Sequence, residues 1–132
     1  MGIRKQLEAE FDYDIVDEFL DHLDIMTEAM EPAIIALENK ESRSERINEL
    51  FRIFHNIKSA SGFLKIERTH LLSELAEELM DSVRQNQDSI SESFINWLLL
   101  INDQFQIWYR QLENDDEEFK DTNTKILNVP EI

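Results

Sequence analysis

The chain has 132 residues, with 13 Lys+Arg against 29 Asp+Glu for a formal net charge of −16, no cysteine, two glycines and two prolines. That length fits one domain, and a hydrophobic content of 42% supplies a core, so acidity alone does not imply disorder. The totals exclude a disulfide framework and a cysteine nucleophile, and they argue against a Gly-rich phosphate loop and against nucleic acid, whose phosphates need a basic footprint.

The start, Met1 to Gln6, has no apolar stretch behind its charges, so it does not read as a signal peptide. Gln6 stands where the myristoylation pattern opened by Gly2 wants Ser or Thr. Arg4 to Glu10 is expected to form a helical turn or two. From Asp14 to Glu38, Val16, Phe19, Leu20, Leu23, Met26, Met30, Ala33, Ile34 and Leu37 recur in steps of three and four, the stripe of a long amphipathic helix. Pro32 is expected to kink that helix or break it near Glu31, because it lacks an N–H and crowds the preceding turn.

A second stripe runs Ile47, Leu50, Phe54, Ile57, Ser61 and Leu64; a third runs Leu72, Leu75, Ala76, Leu79 and Val83. The fourth is Phe94, Leu98, Ile101, Phe105, Trp108 and Leu112, with Trp97 and Trp108 expected in bundle packing. Ser44, and Ser89 or Ser91, fit as helix N-caps, each with an acid close behind. No segment alternates with period two long enough for a strand. The fold class is therefore all-α, an antiparallel up-down four-helix bundle over residues 1–113 with room for a short extra N-terminal helix. Residues 114–132 read as an acidic C-terminal tail, opened by Asp115-Asp116-Glu117-Glu118 and expected to be flexible. The longest apolar run, Trp97 to Ile101, is far too short to span a bilayer, so a soluble cytoplasmic protein is expected.

Chemistry concentrates in Phe51-Arg52-Ile53-Phe54-His55-Asn56-Ile57-Lys58-Ser59-Ala60-Ser61-Gly62. At about 100° per residue, Leu50, Phe54, Ile57 and Ser61 define the buried side. His55 then points more than a quarter-turn away, toward solvent, on a strip with Phe51, Arg52, Lys58, Ser59 and Gly62. A neutral imidazole has a lone pair near pH 7 and can attack phosphorus without a separate base. Lys58, one turn later, can offset phosphoryl charge. Ser59 and Gly62 keep the neighbouring surface low, so that another protein can close over the ring. Gly62 costs a helix about 1 kcal/mol relative to Ala, which asks for a reason such as close approach. With Arg52 and Lys58, the strip reads as a local basic exception on an acidic body.

These residues resemble the histidine-containing phosphotransfer (HPt) domain, including that of chemotaxis-type histidine kinases. That family sets its phosphoacceptor histidine in a pattern of His, any residue, an aliphatic, Lys, then small residues, which His55-Asn56-Ile57-Lys58-Ser59-Ala60-Ser61-Gly62 matches. The likeness continues through Leu75-Ala76-Glu77, Leu79, Asp81 and Arg84, and spans roughly Asp14 to Leu112. Two departures are Ser59 for a commoner glycine and Lys65 where a glycine often ends the helix. The resemblance implies a phosphorelay intermediate in which His55 accepts the phosphoryl group, Lys58 neutralises its charge and Glu77 orients the imidazole. Phe51, Arg52, Ser59 and Gly62 would meet the partner. It also implies response-regulator receiver domains and a histidine kinase as partners, Mg²⁺ in the receiver and no cofactor here, with no ATP-binding or kinase domain in this chain.

His22 sits among acids and is expected to be solvated. Glu67-Arg68-Thr69-His70 has the Glu-x-x-His spacing of di-iron bundles but no second copy, so no metal site is expected. A helical adaptor that docks receivers without phosphotransfer is the rival from another class. A start at Met1 and a short tail favour a stand-alone protein over a piece of a larger kinase, and a monomer is expected because such a bundle closes its own core.

Overall fold

A computed structural model describes residues 1–131. Five α-helices follow in order: α1 (Ile3–Glu10), α2 (Tyr13–Ile35), α3 (Arg43–Phe63), α4 (Glu67–Gln85) and α5 (Glu92–Glu113). Short 3₁₀ turns occupy Ala36–Glu38, Gln87–Ser89 and Thr124–Leu127, and no strand occurs among the described residues. The stripes become one core. Leu23, Met30 and Ile34 of α2 meet Leu50, Phe54 and Ile57 of α3, Ala76, Met80 and Val83 of α4, and Leu98, Phe105 and Trp108 of α5, all essentially inaccessible. Burying each large side chain contributes about 1.5–3 kcal/mol against the entropy of ordering the chain. Helix α2 packs on α3 and α5, and α4 does the same, so the four close a ring. Helix α1 is the short extra helix, lying on α2 and α5.

The α3–α4 pair positions the candidate site. Its two helices run antiparallel, since contacts join Ser61 to Thr69 near the turn and His55 to Glu77 further along. Thr69 and Ser73, outside the expected stripe, are fully buried there, while Leu75 and Leu79 are only partly covered. The Thr69 hydroxyl donates to Ser61 Oγ at 2.7 Å and the Ser73 hydroxyl to the Thr69 carbonyl at 2.6 Å, so the buried polar atoms are paired. The turn closes with the Lys65 N–H donating to the Gly62 carbonyl and the Ile66 N–H to that of Ser61. This is a Schellman closure, and Lys65 takes the left-handed φ of 59° that a glycine would adopt more easily. Lysine in that conformation costs about 1 kcal/mol, which burial of Leu64 and Ile66 on either side offsets.

Three expectations are corrected. Helix α2 does not break near Glu31; it runs past the exposed Pro32 to Ile35. Burial of Ala33, Ile34 and Leu37 just beyond opposes the roughly 3 kcal/mol that an interior proline costs. Ser44 is not an N-cap: α3 begins at Arg43 with Ser42 before it, and the buried Arg43 reaches the carbonyls of Leu37 and Gln87 instead. Ser91 is the cap of α5, its hydroxyl accepting from the Phe94 N–H at 3.2 Å.

The third correction concerns the segment 114–132, set apart above as a flexible acidic tail. As far as Ile126 it lies against the bundle. Asp115, at φ 55°, reverses the chain after α5 with a second Schellman closure. Asp116 then accepts the Ile3 N–H at 2.7 Å and the Asp115 carboxylate accepts the Lys5 N–H at 3.1 Å, seating α1. Gly2 has no side chain because a Cβ there would collide with Asp115. Further on, the Trp108 and Trp97 indoles each donate at 2.8 Å to the carbonyls of Lys120 and Ile126, and Ile126 is 1% exposed. Both tryptophans are core residues as expected, but their polar ends hold this segment down.

Candidate functional site

His55 leaves the exposed side of α3 with its side chain 52% accessible, as the helical angle requires. Glu77, nearly three helical turns along the facing α4, is only 14% exposed and presents one carboxylate oxygen to each of two partners. Oε1 lies 3.1 Å from His55 Nδ1, and Oε2 lies 2.7 Å from Lys58 Nζ. Burial pushes the Glu77 carboxyl up, but the contacts with Lys58 and then His55 outweigh it and hold the group below the usual carboxylate range. The carboxylate is therefore ionised and can only accept, so Nδ1 carries the proton. In the neutral imidazole that tautomer leaves the lone pair on Nε2, on the half-exposed side of the ring.

The structure thus brings His55, Lys58 and Glu77 together and spreads the expected docking residues differently. Arg52 and Ser59 are exposed on the His55 strip. Phe51 is partly buried, stacked beside His55 with ring centroids 6.3 Å apart, and the Arg84 guanidinium lies 4.1 Å from its centroid. Gly62 faces His70, whose Nδ1 would stand 3.3 Å from a Cβ there. Its close approach is to α4, where the His70 ring contacts the Lys58 carbonyl at 3.1 Å. His22 is exposed, as expected. His70 sits near Glu74, at 3.7 Å, and among the described residues no group of three or more acids and histidines is placed to hold a metal ion.

The strip is not the basic patch that one helix suggests. Across from it, α4 brings Glu74, Glu77, Glu78 and Asp81 to a shallow depression shared with Phe51 and Lys58. Lys58 rests in an ion pair rather than free. Arg84 and the stacking of Phe51 on His55 could not be seen along α3, because each contact crosses to another helix or depends on side-chain rotation.

The sequence pattern of the Hpt domain family matches residues 14–115. The chain belongs to the Hpt domain family. Hpt domains are phosphotransfer modules of phosphorelay signalling, without kinase activity of their own. Among curated relatives, a chemotaxis protein CheA of Salmonella typhimurium is 26% identical over 104 residues, 79% of this chain and 16% of that protein. A chemotaxis protein CheA of Borreliella burgdorferi is 23% identical over 86 residues, 65% of this chain and 10% of that protein. The chain thus spans a small part of the length of these relatives, whose phosphotransfer domain is an Hpt domain. No solved structure matches the chain. Among the described residues, no helix is long and apolar enough to cross a membrane.

Proposed function

We propose that this Hpt domain accepts a phosphoryl group on His55 Nε2 and passes it to the aspartate of a response-regulator receiver domain. The supporting observation is the half-exposed imidazole whose Nδ1–H is held by the ionised Glu77, which leaves Nε2 as the nucleophile. The Nε2 lone pair forms the N–P bond as the P–O bond to the donor breaks, and the donor oxygen keeps the electron pair. The donor is ATP held by a histidine kinase, with ADP leaving, or the aspartyl phosphate of another receiver, with its carboxylate leaving. Glu77 stabilises the positive charge that then develops on the ring. Lys58 can exchange its contact with Glu77 for the phosphoryl oxygens, offsetting their charge as transfer proceeds. In the second step the receiver's carboxylate attacks phosphorus and Nε2 leaves with its electron pair restored. Mg²⁺ and the acidic pocket belong to the receiver, and the cytoplasm, where receivers and kinases work, is the compartment.

The test mixes purified protein with a phosphorylated receiver or kinase and follows an acid-labile, base-stable phosphoryl mark. His55→Gln should abolish the mark while leaving the helical circular dichroism intact; labelling that persists in the variant would sink the assignment. Lys58→Ala should keep the fold and slow transfer by about tenfold, the scale of a lost charge-assisted contact. An unaltered rate would make the lysine a bystander. The match to a small part of two chemotaxis CheA proteins favours one second reading, the same chemistry performed as one domain of a larger kinase.

A further inference from the structure

Phe51 lies one helical turn before His55, and the planes of the two rings are 10° from parallel. On α4, Arg84 lies two turns beyond Glu77 and so on the same face. Because α3 and α4 run antiparallel, Arg84 meets Phe51 as Glu77 meets His55. The 4.1 Å from its guanidinium carbon to the Phe51 centroid is well inside cation–π range. Its nearest acid, Asp81, stands at 3.8 Å, the edge of an ion pair, and competes weakly for it.

Two contacts thus bear on the imidazole from different directions. Glu77 fixes the Nδ1 end but leaves the ring free to tilt about that hydrogen bond. The Phe51 ring lies nearly parallel to the imidazole with centroids 6.3 Å apart, and this neighbour limits tilt only while Phe51 keeps its rotamer. The Arg84 guanidinium over the Phe51 ring favours the rotamer that keeps the two rings parallel. Resting on the assignment of His55 as phosphoacceptor, we propose that Arg84 is a positioning residue that acts through Phe51 to hold the His55 imidazole in its transfer-ready orientation. The contacts of Arg84 are with Phe51 and Asp81, not with the His55 ring.

A positioning role separates from a docking role by where the loss appears. Arg84→Ala in the full chain should lower the maximal rate of transfer from His55 to a receiver about three- to fivefold, the population shift expected from one exposed cation–π contact, and leave the half-saturating receiver concentration unchanged. Phe51→Leu should lose at least as much, and adding Arg84→Ala to it should cause no further loss, since the path runs through that ring. Losses that multiply in the double variant, or a change confined to the half-saturating concentration, would overturn the proposal. Histidine-selective magnetic resonance of the free protein gives a readout that needs no transfer. Arg84→Ala should move the His55 ring signals in the direction that Phe51→Leu moves them. Signals that stay put overturn the positioning role, whereas shifted signals on a chain that never becomes labelled at His55 overturn the phosphoacceptor assignment instead.

Discussion

Glu77 serves His55 with one carboxylate oxygen and Lys58 with the other, so a single side chain sets the tautomer of the imidazole and restrains the nearest cation. Glu77→Gln keeps an acceptor for Nδ1–H but removes the charge, and Glu77→Ala removes both. Transfer rates should fall in that order, with the alanine variant about 10- to 100-fold below the parent, the range for lost supporting carboxylates. Equal rates for the parent and the alanine variant would show that the hydrogen bond does not matter to the chemistry. The same carboxyl carries a pH dependence. Its folded pKa lies below the ordinary value of 4.5, so its contribution to stability is complete above that value and is lost as pH falls through the lower folded one. Urea unfolding of the parent and of Glu77→Gln should therefore differ at neutral pH and converge as the pH falls below the lowered folded pKa. At this scale, angle arithmetic on one helix was enough to turn His55 outward. It could not supply Glu77, 22 positions away, which came from the family resemblance and which the contact across to α4 now places.

The helices were legible because their stripes repeat in threes and fours, and burial follows those stripes closely along α2, α3 and α5. The segment after Glu113 was not, for a physical reason. Its hold on the bundle runs through backbone carbonyls accepting from Trp97 and Trp108, through the left-handed Asp115 and through the buried side chain of Ile126. None of these leaves a period in the sequence. Ile126→Ala should destabilise the fold by about 2–4 kcal/mol, as for other fully buried aliphatics, and shift tryptophan emission toward that of solvated indole. If the midpoint of thermal unfolding does not change, the segment contributes no packing energy and the tail behaves as the acidic composition first suggested. Pro32 shows the converse error. A local rule predicted a kink or a break, and core contacts on the far side of the proline carry an unbroken helix through it.

Across the whole molecule, the charge of −16 is spread over surfaces that also carry cations in short pairs, such as Arg46 with Glu49 at 2.7 Å. The excess is felt locally: the Tyr109 phenol is pushed up to about 12 by its hydrogen bond to Glu113, by burial and by Asp24 and Asp21 nearby. Net self-repulsion is long-ranged and therefore easily screened. Raising the salt from about 10 mM to about 1 M, which shortens the Debye length from roughly 30 to 3 Å, should raise the thermal midpoint. A falling midpoint would mean that exposed ion pairs outweigh the repulsion.

Hydrophobic period, composition and one short run of residues determined the all-helical class, the four long helices, the outward imidazole and its lysine, because each depends on neighbours within a few residues along one helix. Tertiary structure alone decided what faces that imidazole. Antiparallel packing of α3 on α4 brings Glu77 and Arg84 from one face of α4 to His55 and Phe51, and it lines a strip that looked basic with four carboxylates. Which side chains meet across two helices depends on their relative register and rotation, and no single helix encodes either.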